Sequence, residues 1–136
     1  MNSPPKATLD RFLALDIHKH YLVIGGVGLR QEIVLKPRRI SFHQWPEWAM
    51  ANLRATDAVV LESTTNAWHV HDQVALLVGR TVVAHPALVK VIATARVKTD
   101  PRAVLDLARL LAANLVPEVL VPPLEVRELR ALVNHR

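Results

Sequence analysis

The sequence predicts an α/β domain built around a mixed β-sheet. Three apolar segments, at 11–16, 21–27 and 31–36, are separated by short connections, which indicates an antiparallel three-strand meander. Two later apolar segments, 58–62 and 81–84, each follow a stretch with helical spacing, which is typical of strands that join a sheet in parallel. We therefore expect a meander followed by alternating helices and parallel strands.

The first predicted helix follows the meander. It carries Trp45, Trp48, Ala49 and Leu53 at helical spacing, and Ser41 is its candidate N-cap. Helical spacing favours packing of the tryptophans in a core over stacking on nucleic-acid bases.

Four further helices are predicted in the rest of the chain. One over 68–78 stops near a glycine, and a short one is expected over 87–95. Residues 101–113 have a clear apolar face. The amphipathic pattern over 124–136 has no stop signal before the last residue, so we expect a C-terminal helix that is truncated.

Composition limits the class of protein. The 136 residues are 51% hydrophobic, which is enough for one domain with its own core and unlike a disordered chain. No apolar run approaches the ~20 residues of a membrane span, so no membrane partner is expected. The chain has no cysteine, which excludes disulfides and thiolate zinc sites and fits a cytoplasmic location. A net charge of +5 favours polyanionic partners.

Two of the apolar strands end in a carboxylate. Asp16 closes the first strand and Glu62 closes the fourth, and parallel strands gather functional groups at their carboxyl ends. Asp100, before the helix over 101–113, is a third candidate, and three such carboxylates could hold one or two Mg²⁺ ions. Each acid also has a structural reading, because Asp100 precedes Pro101 and is a good helix N-cap, while the other two could serve turns.

Several blocks of sequence, taken in order, resemble one family. The blocks are Leu15-Asp16-Ile17-His18-Lys19, Val59-Val60-Leu61-Glu62-Ser63-Thr64, Ala84-His85-Pro86 with Val89-Lys90, Lys98-Thr99-Asp100 with Leu107-Ala108-Arg109-Leu110-Leu111, Val121-Pro122-Pro123, and Arg127-Glu128-Leu129-Arg130-Ala131-Leu132-Val133. They resemble the DEDD transposases, an insertion-sequence family guided by a structured bridge RNA and related to the pilin-gene DNA invertase.

The resemblance implies a ribonuclease H-like (RuvC-like) fold in which four acids bind Mg²⁺. Asp16, Glu62 and Asp100 match the first three catalytic and metal-binding positions. The fourth acid is expected three residues after Asp100, where this chain has Ala103. Asp106 lies one helical turn further and is a partial substitute at best. A further departure is Thr65, where the family usually has glycine.

The resemblance also implies a domain organisation. We expect a flexible N-terminal arm over 1–10, a RuvC-like catalytic domain over 11–115, and over 116–136 a linker and the start of a truncated helix. That helix would lead to a second domain, absent here, which supplies a serine nucleophile in the family.

The implied function is Mg²⁺-dependent cleavage and transfer of DNA strands by the full-length protein. We expect this fragment, which has alanine at position 103 and lacks the second domain, to be inactive or impaired. Partners would be DNA, a structured guide RNA and, in the full-length form, further copies of the chain. The alternative is a non-catalytic remnant that binds nucleic acid or oligomerises.

Basic residues surround the third acid. Lys90, Arg96, Lys98 and Arg102 are candidate phosphate contacts, and a solvated basic helix face is the alternative.

Two other functions are disfavoured. The pairs His18-Lys19-His20 and His69-Val70-His71 could each hold zinc only with further ligands, and none stands at a fitting spacing. A sugar-kinase-like or actin-like ATPase would need a glycine-rich phosphate turn after the first strand, and the turn here contains no glycine.

Overall fold

The computed structural model describes residues 8–62, 67–85 and 103–119. Five strands lie in these ranges: β1 (Arg11–Ile17), β2 (Tyr21–Gly28), β3 (Ile33–Ser41), β4 (Asp57–Glu62) and β5 (Arg80–Ala84). The helices described are α1 (Trp45–Asn52), α2 (Ala67–Ala75) and α3 (Ala103–Ala112). The predicted helices over 87–95 and 124–136 lie outside the described residues.

The strands form one five-stranded mixed sheet in the order β3-β2-β1-β4-β5. The pairs β1–β2 and β2–β3 are antiparallel, whereas β1–β4 and β4–β5 are parallel. The predicted α/β class, with a meander followed by parallel strands, is therefore confirmed. The short connections favour the meander, and the helices α1 and α2 supply the crossovers that the parallel strands require.

Each face of the sheet carries its own core. On one face, α1 and α2 pack against β-strand residues such as Leu15, Ile24 and Leu61. On the other face, which we call the α3 face, Val104, Leu107, Ala108 and other α3 residues pack on the sheet. Because neighbouring residues of a strand point to opposite faces, sequence parity decides the face on which each strand side chain lies. The sheet is thus sandwiched between helices.

A buried ion pair joins the amino ends of β1 and β4. The side chain of Asp57 is fully buried and accepts two hydrogen bonds of 2.7 Å from the Arg11 guanidinium, through Nε and Nη2. The backbone N–H of Arg54 donates a third at 2.8 Å. The hydrogen bonds with Asp57, helped by its negative charge, raise the pKa of Arg11 above its ordinary value despite the opposing effect of burial. The contribution of the Arg11 charge to stability is therefore lost only when the pH rises through this raised pKa.

The third strand differs from the prediction at both ends. The segment 31–36 was expected, but Gln31 has φ 63° and belongs to a tight turn in which Gly28 N–H bonds Glu32 O. The strand then continues to Ser41 through Pro37. Proline is tolerated there because β3 lies at the edge of the sheet, where a strand can lack one donor.

The beginning of α1 corrects a further prediction. Ser41 is the last residue of β3 and does not cap the helix; the N-cap position belongs to Gln44, whose side chain makes no cap hydrogen bond. Ser41 Oγ instead accepts the backbone N–H of Gln44 at 3.3 Å. Proline in the first turn stabilises the start of α1, because its missing N–H would be unpaired there anyway.

The ends of α2 and α3 also differ from their expected bounds. Helix α2 ends at Ala75, short of the predicted 78, and a turn over 76–77 follows. Helix α3 ends at Ala112 with a Schellman motif, in which Leu115 N–H bonds Leu110 O and Asn114 adopts φ 58°. The chain then pairs with β5 through a bridge between Ala84 and Glu118.

Within the described ranges, no helix has the length and apolar character needed to cross a membrane. The last residues of the predicted N-terminal arm are attached to the domain, because Leu9 packs in the core of the α3 face and Asp10 N–H bonds Thr56 O.

We predict that Asp57→Asn lowers the free energy of unfolding by about 3 kcal/mol, because it leaves the partly buried Arg11 without its counter-charge. Urea denaturation at neutral pH measures the change. Glu47→Gln, an exposed carboxylate in α1, is the matched control and should change stability by less than about 0.5 kcal/mol. Equal stability of the two variants would show that the buried pair does not hold β1 to β4.

Candidate functional site

Asp16 and Glu62 lie next to each other at the carboxyl ends of β1 and β4. The parallel pairing runs in register from Arg11 with Asp57 to Leu15 with Leu61, so the next position along each strand brings these two acids together. Adjacent strands are about 4.8 Å apart, and aligned residues point to the same face. Both acids stand an even number of residues from strand residues in the core of the α3 face, so they project from that face. Both are partly buried. The structure thus brings together two of the three predicted acids.

His18 holds the carboxylate of Asp16. Its Nε2 donates to Asp16 Oδ2 at 2.8 Å, and its ring stacks on Tyr21 with centroids 4.6 Å apart and planes inclined by 18°. Arg39 in turn lies over the Tyr21 ring, with its guanidinium carbon 4.1 Å from the centroid. A continuous chain of contacts therefore runs from the edge strand β3 to the acid at the end of β1.

The sequence patterns do not predict this chain of contacts. The pair His18-Lys19-His20 lies after β1 in the turn to β2, where His18 bonds Asp16 and His20 is exposed. The second pair, His69 and His71, lies in α2, where residues two apart point in different directions. The signal available in the sequence was the spacing of two residues between Asp16 and His18.

Helix α3 brings position 103 to the same face of the sheet. Ala103 is its first residue, and the next residue, Val104, packs against Gly25, whose partner on β1 is Ala14. Asp16 lies two residues further along β1, about 6.6 Å away at the usual rise of a strand. The first turn of α3 therefore lies over the β1–β2 pair, on the face from which Asp16 projects.

No acid stands at position 103 itself. The only acid in the first turn of α3 is Asp106, which forms an ion pair of 3.8 Å with Arg109 in the same helix. That pairing and the position one turn along argue that Asp106 is a poor replacement for a carboxylate at 103.

The remaining predicted site residues lie outside the described residues. They are Asp100, Lys90, Arg96, Lys98 and Arg102. Across the described ranges, no three histidine or acidic side chains are grouped closely enough to hold one metal ion. Asp16 and Glu62 nevertheless offer the carboxylate oxygens that Mg²⁺ prefers, from two strands fixed by in-register pairing. The residues described fit half of the ligand set expected for such a site.

The tryptophans belong mainly to the fold. Trp45 is buried in the core on the α1 and α2 face, and its indole Nε1 donates to Gln73 Oε1 at 3.2 Å. Trp48 packs against the same core and stacks on Trp45. A cavity of ≈ 320 Å³ opens beside Trp45 and is lined by residues that include Lys19, His69 and Gln73. The prediction that these two side chains pack rather than stack on bases agrees with their burial.

Comparison with known proteins adds no assignment, since no family model and no curated protein matches the chain.

We predict that Gly25→Ala destabilises the protein by about 1–3 kcal/mol, because a Cβ there would lie 2.8 Å from Val104 Cγ2 and push α3 away. The check is a double-mutant cycle with Val104→Ala, measured by thermal unfolding. The double variant should lose less stability than the sum of the single losses, since the alanine at 104 removes the methyl group that clashes. Additive losses would show that α3 does not contact the sheet at Gly25.

Proposed function

We propose that this chain is the metal-binding, ribonuclease H-like part of a DNA transposase of the DEDD type. The observation that carries the proposal is the in-register pairing of β1 and β4, which puts Asp16 and Glu62 side by side at the carboxyl ends of parallel strands. The antiparallel meander joined to two parallel strands also agrees with the RuvC-like arrangement that the sequence resemblance implies.

The two acids would hold the divalent cation between β1 and β4. When bound, such an ion stabilises charge on phosphoryl oxygens and activates an attacking oxygen. His18 positions Asp16 by occupying Oδ2, so the carboxylate keeps a fixed orientation. The stacking of His18 on Tyr21 restricts the imidazole in turn. Ligand side chains that are already held in one orientation lose less conformational entropy when they bind the ion.

A second candidate is a domain of the same ancestry that binds DNA without cutting it. The observation that favours it is the alanine at the start of α3, where the family pattern has its fourth acid. An incomplete carboxylate set weakens both metal binding and charge stabilisation at the scissile phosphate. Both candidates share the acidic pair, and they differ in whether position 103 limits the reaction.

We predict that Asp16→Asn and Glu62→Gln each weaken Mn²⁺ binding by more than about tenfold, because each removes one charged ligand of the ion. Mn²⁺ is the probe, and its affinity is measured by isothermal titration calorimetry or by the loss of the free-ion spin-resonance signal. Glu47→Gln removes an exposed carboxylate from α1 and should leave the affinity unchanged. Identical Mn²⁺ affinity in all variants would sink the metal-site assignment.

We predict that Ala103→Asp increases Mn²⁺ affinity and the rate of nicking of supercoiled DNA, because it adds a carboxylate near the start of α3. Ala103→Asn is the matched control, since it adds a similar volume without charge. It should leave the Mn²⁺ affinity and the nicking rate low. Nicking by the unchanged chain at the rate of Ala103→Asp would contradict the second candidate. Equal, low activity in the aspartate and asparagine variants would show that position 103 does not complete the site.

A further inference from the structure

One row of cross-strand neighbours passes through the acidic pair and reaches the edge strand β3. Asp16 pairs with Val23 on β2, and Val23 pairs with Arg39 on β3. Side chains of directly opposed residues project from the same face of a sheet. Arg39 therefore lies on the α3 face in the same row as Asp16, two strand spacings or about 9.6 Å away between Cα atoms.

Arg39 is held in place without an acidic partner. Its guanidinium carbon lies 4.1 Å from the centre of the Tyr21 ring, and among the described residues no carboxylate forms an ion pair with it. The residue as a whole is exposed. A guanidinium that rests on an aromatic ring still presents in-plane N–H groups, which suit bidentate contact with a phosphate. Because Tyr21 already restricts the Arg39 side chain, binding a phosphate would cost less conformational entropy.

The neighbouring residue provides the contrast. Arg38 is equally exposed, but it pairs with Ile24, whose side chain belongs to the core on the α1 and α2 face. Charges on an edge strand also discourage pairing with another chain, and both arginines can serve that purpose. Of the two, Arg39 alone combines the charge with a place on the α3 face, in the row that contains Asp16. If the two arginines served only to protect the edge strand, Arg38 and Arg39 would be equivalent.

We propose that Arg39, supported by Tyr21, binds a backbone phosphate of a DNA strand whose reacting phosphate lies at Asp16 and Glu62. The inference rests on the proposed function and adds to it a binding residue on β3. The positive charge of Arg39 offsets the repulsion between the acidic pair and the phosphates next to the reacting one. Arg39 thereby fixes the direction in which the strand crosses the sheet, from β4 toward β3.

The test compares Arg39→Gln with Arg38→Gln, which remove the same charge from adjacent exposed positions on opposite faces. A short fluorescein-labelled DNA duplex is titrated with each variant in Mg²⁺, and affinity is followed by fluorescence anisotropy at several salt concentrations. Arg39→Gln should weaken binding by about tenfold and reduce the slope of log affinity against log salt by about one. Arg38→Gln should change the affinity by less than about twofold.

A third variant, Arg39→Lys, keeps the charge and loses the planar fork, so its affinity should lie between those of the wild type and Arg39→Gln. Thermal unfolding of each variant checks that the sheet is intact. Equal losses in the two glutamine variants, or no loss in Arg39→Gln, would overturn the inference.

Failure of this inference and of the proposed function give different results. Mn²⁺ binding by Asp16 and Glu62 is measured without DNA, so a failure there, with Arg39-dependent DNA binding retained, sinks the metal site alone. If Mn²⁺ binding is intact and the DNA affinity does not depend on Arg39, only the phosphate contact is overturned. A wild-type chain that binds no DNA overturns the phosphate contact as well.

Discussion

The pairing of Arg11 with Asp57 is the constraint on which the candidate site depends. It joins the first residues of β1 and β4 by a bidentate contact, and the buried Asp57 carboxylate also accepts the backbone N–H of Arg54. A slip of one residue between these strands would separate that pair and send each following side chain to the opposite face. Because the register holds, Asp16 and Glu62 occupy neighbouring positions at the other ends of the same strands and project from one face.

Much of this arrangement could be predicted from the sequence because it follows from apolar runs. The segment before Asp16 and the segment before Glu62 are apolar and end in an acid, so both the strands and the ends at which the acids lie were readable. The second half of the third strand was not, because Lys36-Pro37-Arg38-Arg39 has the composition of a loop and becomes a strand only at an edge that tolerates proline and charge.

The contacts around Asp16 were unreadable for a different reason. His18 reaches the carboxylate through the geometry of a tight turn, and Arg39 reaches Tyr21 only after two strand pairings have been fixed. Such contacts depend on tertiary register, which residue patterns do not encode locally. The position of α3 could not be predicted either, because it depends on a single glycine at position 25 that allows the helix to approach the sheet. Sequence patterns therefore identified the acids, and register identified their neighbours.

The two edges of the described sheet limit how the domain can associate. Beyond β5, the chain returns after α3, and bonds from Val119 N–H to Val83 O and from His85 N–H to Pro117 O use hydrogen-bonding groups of that edge. At the β3 edge, Pro37 removes one donor and charged side chains flank it. Sheet-to-sheet polymerisation, the usual hazard of open strands, is thus disfavoured at both ends. A partner macromolecule is therefore expected to contact a face of the described domain more readily than to extend its sheet.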